Sequence, residues 1–301
     1  MVWSATRQVL AGSVALAALL CGTTRAQEGA APHPAPAAPP QVAPPSKPTA
    51  PAPPSGSAKP AASVPAGGPT EEEVAIALAD LERAATAEPA ERAAAVARNA
   101  GVASPKVVKA LARFLKDKES AVRIAAFDAL GRTAHADALK ELHRELQSDA
   151  KLRDDPKLLV ALLKAIGRHA DPESVKILAD NAWKTPDASV VQARLFALGN
   201  IRTKASVAQL MDLMNTDPTT PFQSSPYMAD FRVALAALTG TDQGLDKDLW
   251  RTWWRDAEKT LKFGKDPPRL PDPLQSTWHD FWKLPPKSPA TASGGATPPA
   301  H

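Results

Sequence analysis

The sequence predicts an all-α fold of about five stacked helical hairpins, an α-solenoid, and three observations support this prediction. Hydrophobic residues make up 44% of the chain and aromatic residues only 5%, a balance rich in alanine that suits packed helices better than sheets. A small apolar pair followed by glycine recurs at the spacing of a helical hairpin. The thirty-one prolines are unevenly placed, with fourteen in residues 28–69 and nine after Gly264. The folded part is therefore expected at about residues 70–263.

The repeat is clearest at "FDALGR", "LKAIGR" and "LFALGN", whose glycines are Gly131, Gly167 and Gly199 in that order. Looser copies end at Gly101 and Gly240, and successive glycines are 30, 36, 32 and 41 residues apart. The residues one, two, four, six and nine positions before each clear glycine are all apolar. Such columns occupy one side of a helix with 3.6 residues per turn. They predict the second helices of stacked hairpins.

Helix starts are predicted from capping residues. Glu119, Asp155 and Asp187 lie twelve residues before the clear glycines, where a carboxylate suits a helix N-terminus. Ser104 and Asp171 each precede a proline and an apolar run, which predicts the start of a first helix.

The stretch "LKDKESAVRIAAFDALG", residues 115–131, resembles the second half of a HEAT repeat, with two spaced acids, Val-Arg, spaced alanines and a final Leu-Gly. The next two copies keep the acid and the ending but carry Leu159 and Val191 where Arg123 stands. The resemblance covers residues 70–240. It implies a right-handed α-solenoid whose second helices line a concave protein-binding surface.

The N-terminus is typical of a secretory signal at residues 1–26. Arg7 precedes an apolar run of twelve residues, Val9 to Leu20, and Ala26 ends the segment. Twelve residues are too few to span roughly 30 Å of hydrocarbon. Cleavage after Ala26 would remove the single cysteine, Cys21, and lower the formal net charge from +4 to +2 by removing two arginines. The alternative, a lipid anchor on Cys21, is disfavoured because a large residue precedes it.

Two segments rich in proline flank the predicted repeats. Residues 27–69 are expected to be a disordered spacer, or alternatively a tether that lets the domain work away from an anchored end. Residues 264–301 are expected to be mostly disordered apart from a short aromatic segment at 276–284.

Residues 241–263 are predicted to form a capping helix rather than an aromatic platform for a ligand. A solenoid leaves an open apolar face at its last repeat, which an atypical terminal helix covers. The spacing of Leu245, Asp246 and Trp250 is that of a hydrophobic staple around a helix cap. Trp250, Trp253 and Trp254 then share one helix face. The segment is similar to a C-terminal module of exported bacterial HEAT-repeat proteins.

Binding residues are proposed at three places. The exposed side of the second helices is expected to contact a protein, because its chemistry varies on a fixed scaffold: Ile124, Val160, Lys164, Gln192 and Phe196. Phe222 and Tyr227 would anchor a ligand in the insert at residues 215–230. Trp278 and Trp282 either fold back on the solenoid or form an exposed hook for a glycan or a partner.

No catalytic constellation is predicted, and no cofactor. A metal edge would need His135, Asp137, His169 and Asp171, whose simpler explanation is helix capping. The weak net charge after export gives no case for nucleic acid. The sequence therefore predicts a non-catalytic scaffold that binds proteins of the bacterial envelope. A cell-wall or glycan binder using the late tryptophans is the alternative, and a metal-dependent enzyme is a third.

Overall fold

The computed structural model describes residues 68–284 apart from 150, 151, 153, 186 and 220–224. The predicted signal at 1–26, nearly all of the predicted spacer, the tail after residue 284 and Phe222 lie outside the described residues.

The described residues form twelve α-helices and no strand, which confirms the predicted fold class. The first ten helices make five hairpins: α1 (Glu71–Ala84) with α2 (Pro89–Arg98), α3 (Pro105–Arg113) with α4 (Ser120–Arg132), α5 (Ala136–Ser148) with α6 (Pro156–His169), α7 (Ser174–Ala179) with α8 (Ala188–Asn200), and α9 (Lys204–Thr216) with α10 (Met228–Thr239). Each second helix packs most extensively against the second helices of its neighbours, in the order α2, α4, α6, α8, α10. Two further helices follow, α11 (Lys247–Ala257) and α12 (Asp272–Trp282).

The repeated glycine lets successive second helices approach closely. A Cβ atom built on Gly131 would lie 2.7 Å from the Cα of Ala165, and one on Gly199 would lie 3.0 Å from the Cα of Ala234. Real Cβ atoms do not tolerate the first of these distances, and the second is at the limit. Glycine at the helix end is therefore required by packing against the next repeat.

The apolar columns form the core as predicted. Of the fifteen residues in the columns before Gly131, Gly167 and Gly199, all but Ala125 and Ala161 are buried, and those two are partly buried against the core. Since these positions repeat in three helices, the same pattern that identifies the repeats also fills their interior.

The predicted acidic residues stand at the N-caps of the second helices. The Asp155 carboxylate accepts hydrogen bonds from the backbone N–H groups of Lys157 and Leu158, and Asp187 does the same at the start of α8. Each cap satisfies two of the four free N–H groups of its helix. The predicted starts of the first helices are less accurate. Ser104 precedes α3 but its side chain makes no capping bond, and α7 begins at Ser174 rather than directly after Asp171.

Helix α11 packs against α9 and carries the first tryptophan cluster. Trp250 is fully buried, and its indole N–H donates to the carbonyl of Gly244 at 3.0 Å. Asp246 caps the helix, but Leu245 is 56% exposed, so the predicted staple adds little contact. Trp250 is thus a core residue of α11, and the capping role of this helix stays a prediction.

Helix α12 lies within the segment expected to be mostly disordered. It begins at Asp272, four residues before the predicted aromatic segment, and packs on α10. The fourteen residues between α11 and α12 bring it back over the repeats. The aromatic residues of α12 contact Phe196 and Lys164, two of the predicted binding residues.

Candidate functional site

The side of α4, α6 and α8 opposite the buried columns, called here the second-helix face, carries all five predicted binding residues of the repeats. Ile124 and Val160 are partly buried against the core. Lys164 and Gln192 are also of intermediate burial. Phe196 is different, because no part of it reaches solvent. The face is thus accessible only in part on α4 and α6, and it is closed at Phe196 on α8.

Helix α12 is what covers Phe196. The centroid of the Phe196 ring lies 4.8 Å from that of Phe281 in an edge-on arrangement and 5.4 Å from that of Trp278. Both distances fall in the favourable range for aromatic pairs. The chain therefore places its own aromatic helix on its predicted protein-binding face.

Lys164 is the polar contact between this face and α12. Its ammonium group lies 4.1 Å from the centroid of the Phe281 ring and donates a hydrogen bond to the Phe281 carbonyl. Cations suit both aromatic faces and the carbonyl groups at a helix C-terminus. Burial, together with the positive charges of Arg168 and Lys283, lowers the pKa of Lys164.

Trp282 closes the other side of the contact. Its ring lies at the glycine of α6, since a Cβ built on Gly167 would be 2.9 Å from the Cη2 atom of Trp282. Trp282 is only 7% exposed, and Trp278 is partly buried. The aromatic segment is thus folded back on the repeats, and it does not present the exposed tryptophan pair that a glycan hook needs.

Gln192 extends the second-helix face to α10. Its amide donates to the Asp230 carboxylate at 2.8 Å, and burial raises the pKa of Asp230. Asp230 was not among the predicted residues, although it stands ten positions before Gly240, a column held by Ala121, Lys157 and Ser189 in the three clear repeats. Arg168, which forms an ion pair with Asp128 across α6 and α4, was missed as well.

The second predicted anchor pair is not assembled in the described residues. Tyr227 is 9% exposed, and its ring centroid lies 5.8 Å from that of Trp183. Its proposed partner Phe222 is outside the described residues. Tyr227 in this structure packs at the start of α10 rather than facing solvent.

Three of the four candidate metal ligands, the two histidines and Asp171, make structural hydrogen bonds. His135 accepts a hydrogen bond from the backbone N–H of Asp137 at the start of α5, and Asp171 accepts one from Glu173. His169 bonds to the Leu130 carbonyl, and burial lowers its pKa. In the part of the chain that the structure describes, no group of three or more His, Cys, Asp or Glu residues could hold a metal ion.

Stacked hairpins with buried second-helix columns define the class, an α-solenoid of helical repeats. A family model for HEAT repeats matches residues 77–153 and 150–225, so HEAT repeats are present across residues 77–225. HEAT repeats generally mediate protein–protein interactions and are typically not catalytic. A comparison with curated proteins finds no match. Within the described residues, no helix combines the length and the apolar character needed to cross a bilayer.

Proposed function

We propose that the protein is a non-catalytic scaffold that binds other proteins through the second-helix face. The observation that carries this proposal is the pairing of a rigid repeat core with a face whose chemistry changes from helix to helix. On α4 the face shows Ile124, on α6 it shows Val160 beside the exposed Lys157, and on α8 it shows Gln192. A constant apolar core with a variable outer surface is the arrangement by which solenoids present a partner-specific binding surface.

The open part of the face has the composition of an interface. Ile124 and Val160 contribute apolar surface, while Lys157, Asp128 and Arg168 supply charges around it. Protein interfaces combine an apolar centre with a polar rim in this way. A protein partner with an apolar centre therefore fits this region better than a small polar ligand.

We also propose that the protein works outside the bacterial cytoplasm, in the envelope. The support is the sequence of residues 1–26, with its basic start, apolar run and Ala26. Cell fractionation and N-terminal sequencing check this: a mature chain beginning at Gln27 is expected. An intact Met1 on the cytoplasmic protein would contradict export without touching the scaffold proposal.

The scaffold is tested by photo-crosslinking of residues 27–301 to solubilised envelope proteins from a probe amino acid at Val160. A stoichiometric adduct is expected, and Ile124→Glu should abolish it because a buried charge opposes an apolar contact. The matched control is Ile76→Glu, since Ile76 is 63% exposed on α1, away from the face. Equal crosslinking in both variants, or no adduct with the wild-type face, would refute the proposed surface.

A further inference from the structure

The second-helix face consists of an open part on α4 and the start of α6, and a part covered by α12. The covered part, called here the helix groove, is formed by Lys164 and Gly167 of α6 and Phe196 of α8. In the structure the groove is occupied by an α-helix, α12, which contacts it through Trp278, Phe281 and Trp282. Helices laid into apolar grooves with anchors three and four residues apart are a recurring mode of protein recognition.

The apolar fit between α12 and the groove is good, but one polar group is left unsatisfied. The indole N–H of Trp282 is buried and has no hydrogen-bond acceptor among the described residues. Leaving a buried donor unpaired carries a desolvation penalty that an exposed or paired donor does not have. An aromatic side chain without this donor, or an indole whose N–H has an acceptor nearby, would fill the same place at a lower free energy.

The C-terminal end of α12 is also poorly matched to the groove in backbone and in charge. Lys283 adopts the left-handed conformation, with φ at 53°, which favours glycine over other residues. Lys164 donates to the Phe281 carbonyl, two residues before Lys283, and the positive charges of Lys283 and Arg168 both lower the pKa of Lys164. Asp128 already pairs with Arg168. Like charges disfavour the contact, and a carboxylate at this end would reverse the sign of the interaction.

The connection to the repeats allows α12 to leave without breaking a hairpin. Fourteen residues separate it from α11, among them Pro267, Pro268 and Pro271. All five hairpins precede this connection, and their second helices pack on one another. Displacement of α12 would uncover Phe196 and make the groove continuous with the open part of the second-helix face.

We propose that the helix groove is the receptor for an amphipathic helix of a partner protein, with α12 as a replaceable internal occupant. The partner helix carries aromatic residues at the spacing of Trp278, Phe281 and Trp282, and an acidic residue at the place of Lys283. This inference rests on the proposed scaffold function and names the chemistry of its partner. Lys164, released from the Phe281 carbonyl, would select the acidic end, while Phe196 and the surface beside Gly167 select the rings.

The test uses the full chain and two labelled peptides of residues 270–284 with blocked ends, one native and one carrying Lys283→Glu. Fluorescence anisotropy gives the Kd of each. The chain's own α12 competes equally with both peptides, so it does not affect the ratio of the two Kd values. The acidic peptide is expected to bind about fivefold more tightly, as one changed charge beside partly exposed cations allows.

Charge reversal in the chain sharpens the test. Lys164→Glu should invert the preference so that the native peptide binds better, and Lys164→Gln should reduce it. Lys140→Glu is the matched control, because Lys140 lies on α5 and is 76% exposed, and it should leave the ratio unchanged. If circular dichroism shows that Lys164→Glu does not fold, the ratio of the two Kd values is compared between the wild type and Lys164→Gln, and this comparison decides.

Three results would overturn the inference. Equal Kd values for the two peptides with the wild-type chain would remove the charge argument, and absence of binding by both would remove the groove. A concentration-dependent dimer in sedimentation velocity that either peptide dissolves would make a second copy of this chain the occupant instead. Crosslinking from Val160 that persists in any of these cases would leave the scaffold function standing, so the two failures are distinguishable.

Discussion

The stacked second helices and the C-terminal helices use opposite means to pack. Between α4, α6, α8 and α10 the contact is made by small residues, with glycine against alanine at distances that exclude any side chain. In α11 and α12 it is made by large rings, such as Trp250 and Trp282. Small residues fix one helix spacing, whereas rings can be exchanged for other rings. The repeats are therefore the rigid part, and α12 is the part that can be replaced.

Within the C-terminal part, α11 and α12 differ in how well their polar groups are satisfied. The buried indole N–H of Trp250 has an acceptor in the Gly244 carbonyl, whereas that of Trp282 has none. Since unsatisfied buried donors are rare in stable packing, we expect α11 to behave as a permanent cap. The comparison between the two regions thus places the boundary at the connection before α12.

The largest effect is expected for Trp250→Ala, which tests whether α11 belongs to the rigid part. Removing a fully buried indole should lower the free energy of unfolding by about 3–5 kcal/mol. Urea denaturation followed by circular dichroism measures this. Leu249→Ala on the same helix is the control, because Leu249 is 52% exposed and its loss should cost less than about 0.5 kcal/mol. Similar losses for both variants would contradict the assignment of Trp250 as a buried cap.

A smaller loss is expected for Gly131→Ala, which breaks the close packing of α4 against α6. The new Cβ would lie 2.7 Å from the backbone of Ala165, so the helices must move apart. Strain should outweigh the better helix propensity of alanine and lower the free energy of unfolding by about 2 kcal/mol.

Gly264→Ala is the matched control for this change. A Cβ on Gly264 meets only the Asp266 carbonyl oxygen, at 3.9 Å. Its free energy of unfolding should stay within about 0.5 kcal/mol of that of the wild type. If Gly131→Ala proved as stable as Gly264→Ala, glycine would not be what sets the spacing of the repeats.

A gain in stability is expected for Ala170→Gly at the end of α6. Ala170 has a left-handed backbone, with φ at 51°, and its side chain is exposed. Glycine relieves this conformation and should raise the free energy of unfolding by about 1 kcal/mol. Lys283→Gly makes the same change at the end of α12, where it should slow hydrogen exchange of the α12 amides only. A global gain from Lys283→Gly equal to that from Ala170→Gly would mean that α12 unfolds together with the repeats.

The smallest effect concerns the pH dependence of Asp230 on α10. Because burial raises its pKa, the folded chain holds a proton that the unfolded chain has already lost at mildly acidic pH. Its contribution to stability is therefore present at low pH and falls as the pH rises through the raised pKa. The difference in Tm between Asp230→Asn and the wild type should therefore be about 1–2 °C more positive at pH 7 than at pH 4. An equal change in Tm at pH 4 and pH 7 would mean that the charge of Asp230 is not what the substitution removes.

The repeat architecture could be predicted because it is written in local periodicity. The columns before Gly131, Gly167 and Gly199 follow from helix geometry, and capping by Asp155 and Asp187 follows from the needs of free N–H groups. These signals repeat within about one hairpin length. The partly exposed residues Ile124 and Val160 are found in the same way, as positions opposite the buried columns.

The covering of Phe196 could not be predicted in this way. Its neighbours Trp278 and Phe281 lie some eighty residues further along the chain, outside the repeat period. The sequence showed two aromatic segments but not which surface would receive them, because docking depends on surface shape that no local pattern contains. The exposure of Leu245 is a similar case, since the staple spacing is present without the contact.

The most direct test of the account is native-state hydrogen exchange on the full chain, read separately for α6, α8 and α12. The account predicts that α12 amides exchange through a local opening at least about 2 kcal/mol below the free energy of global unfolding, while amides of α6 and α8 exchange only near that value. Exchange of all three helices at one common free energy would contradict it, because α12 would then be as fixed as the repeats it covers.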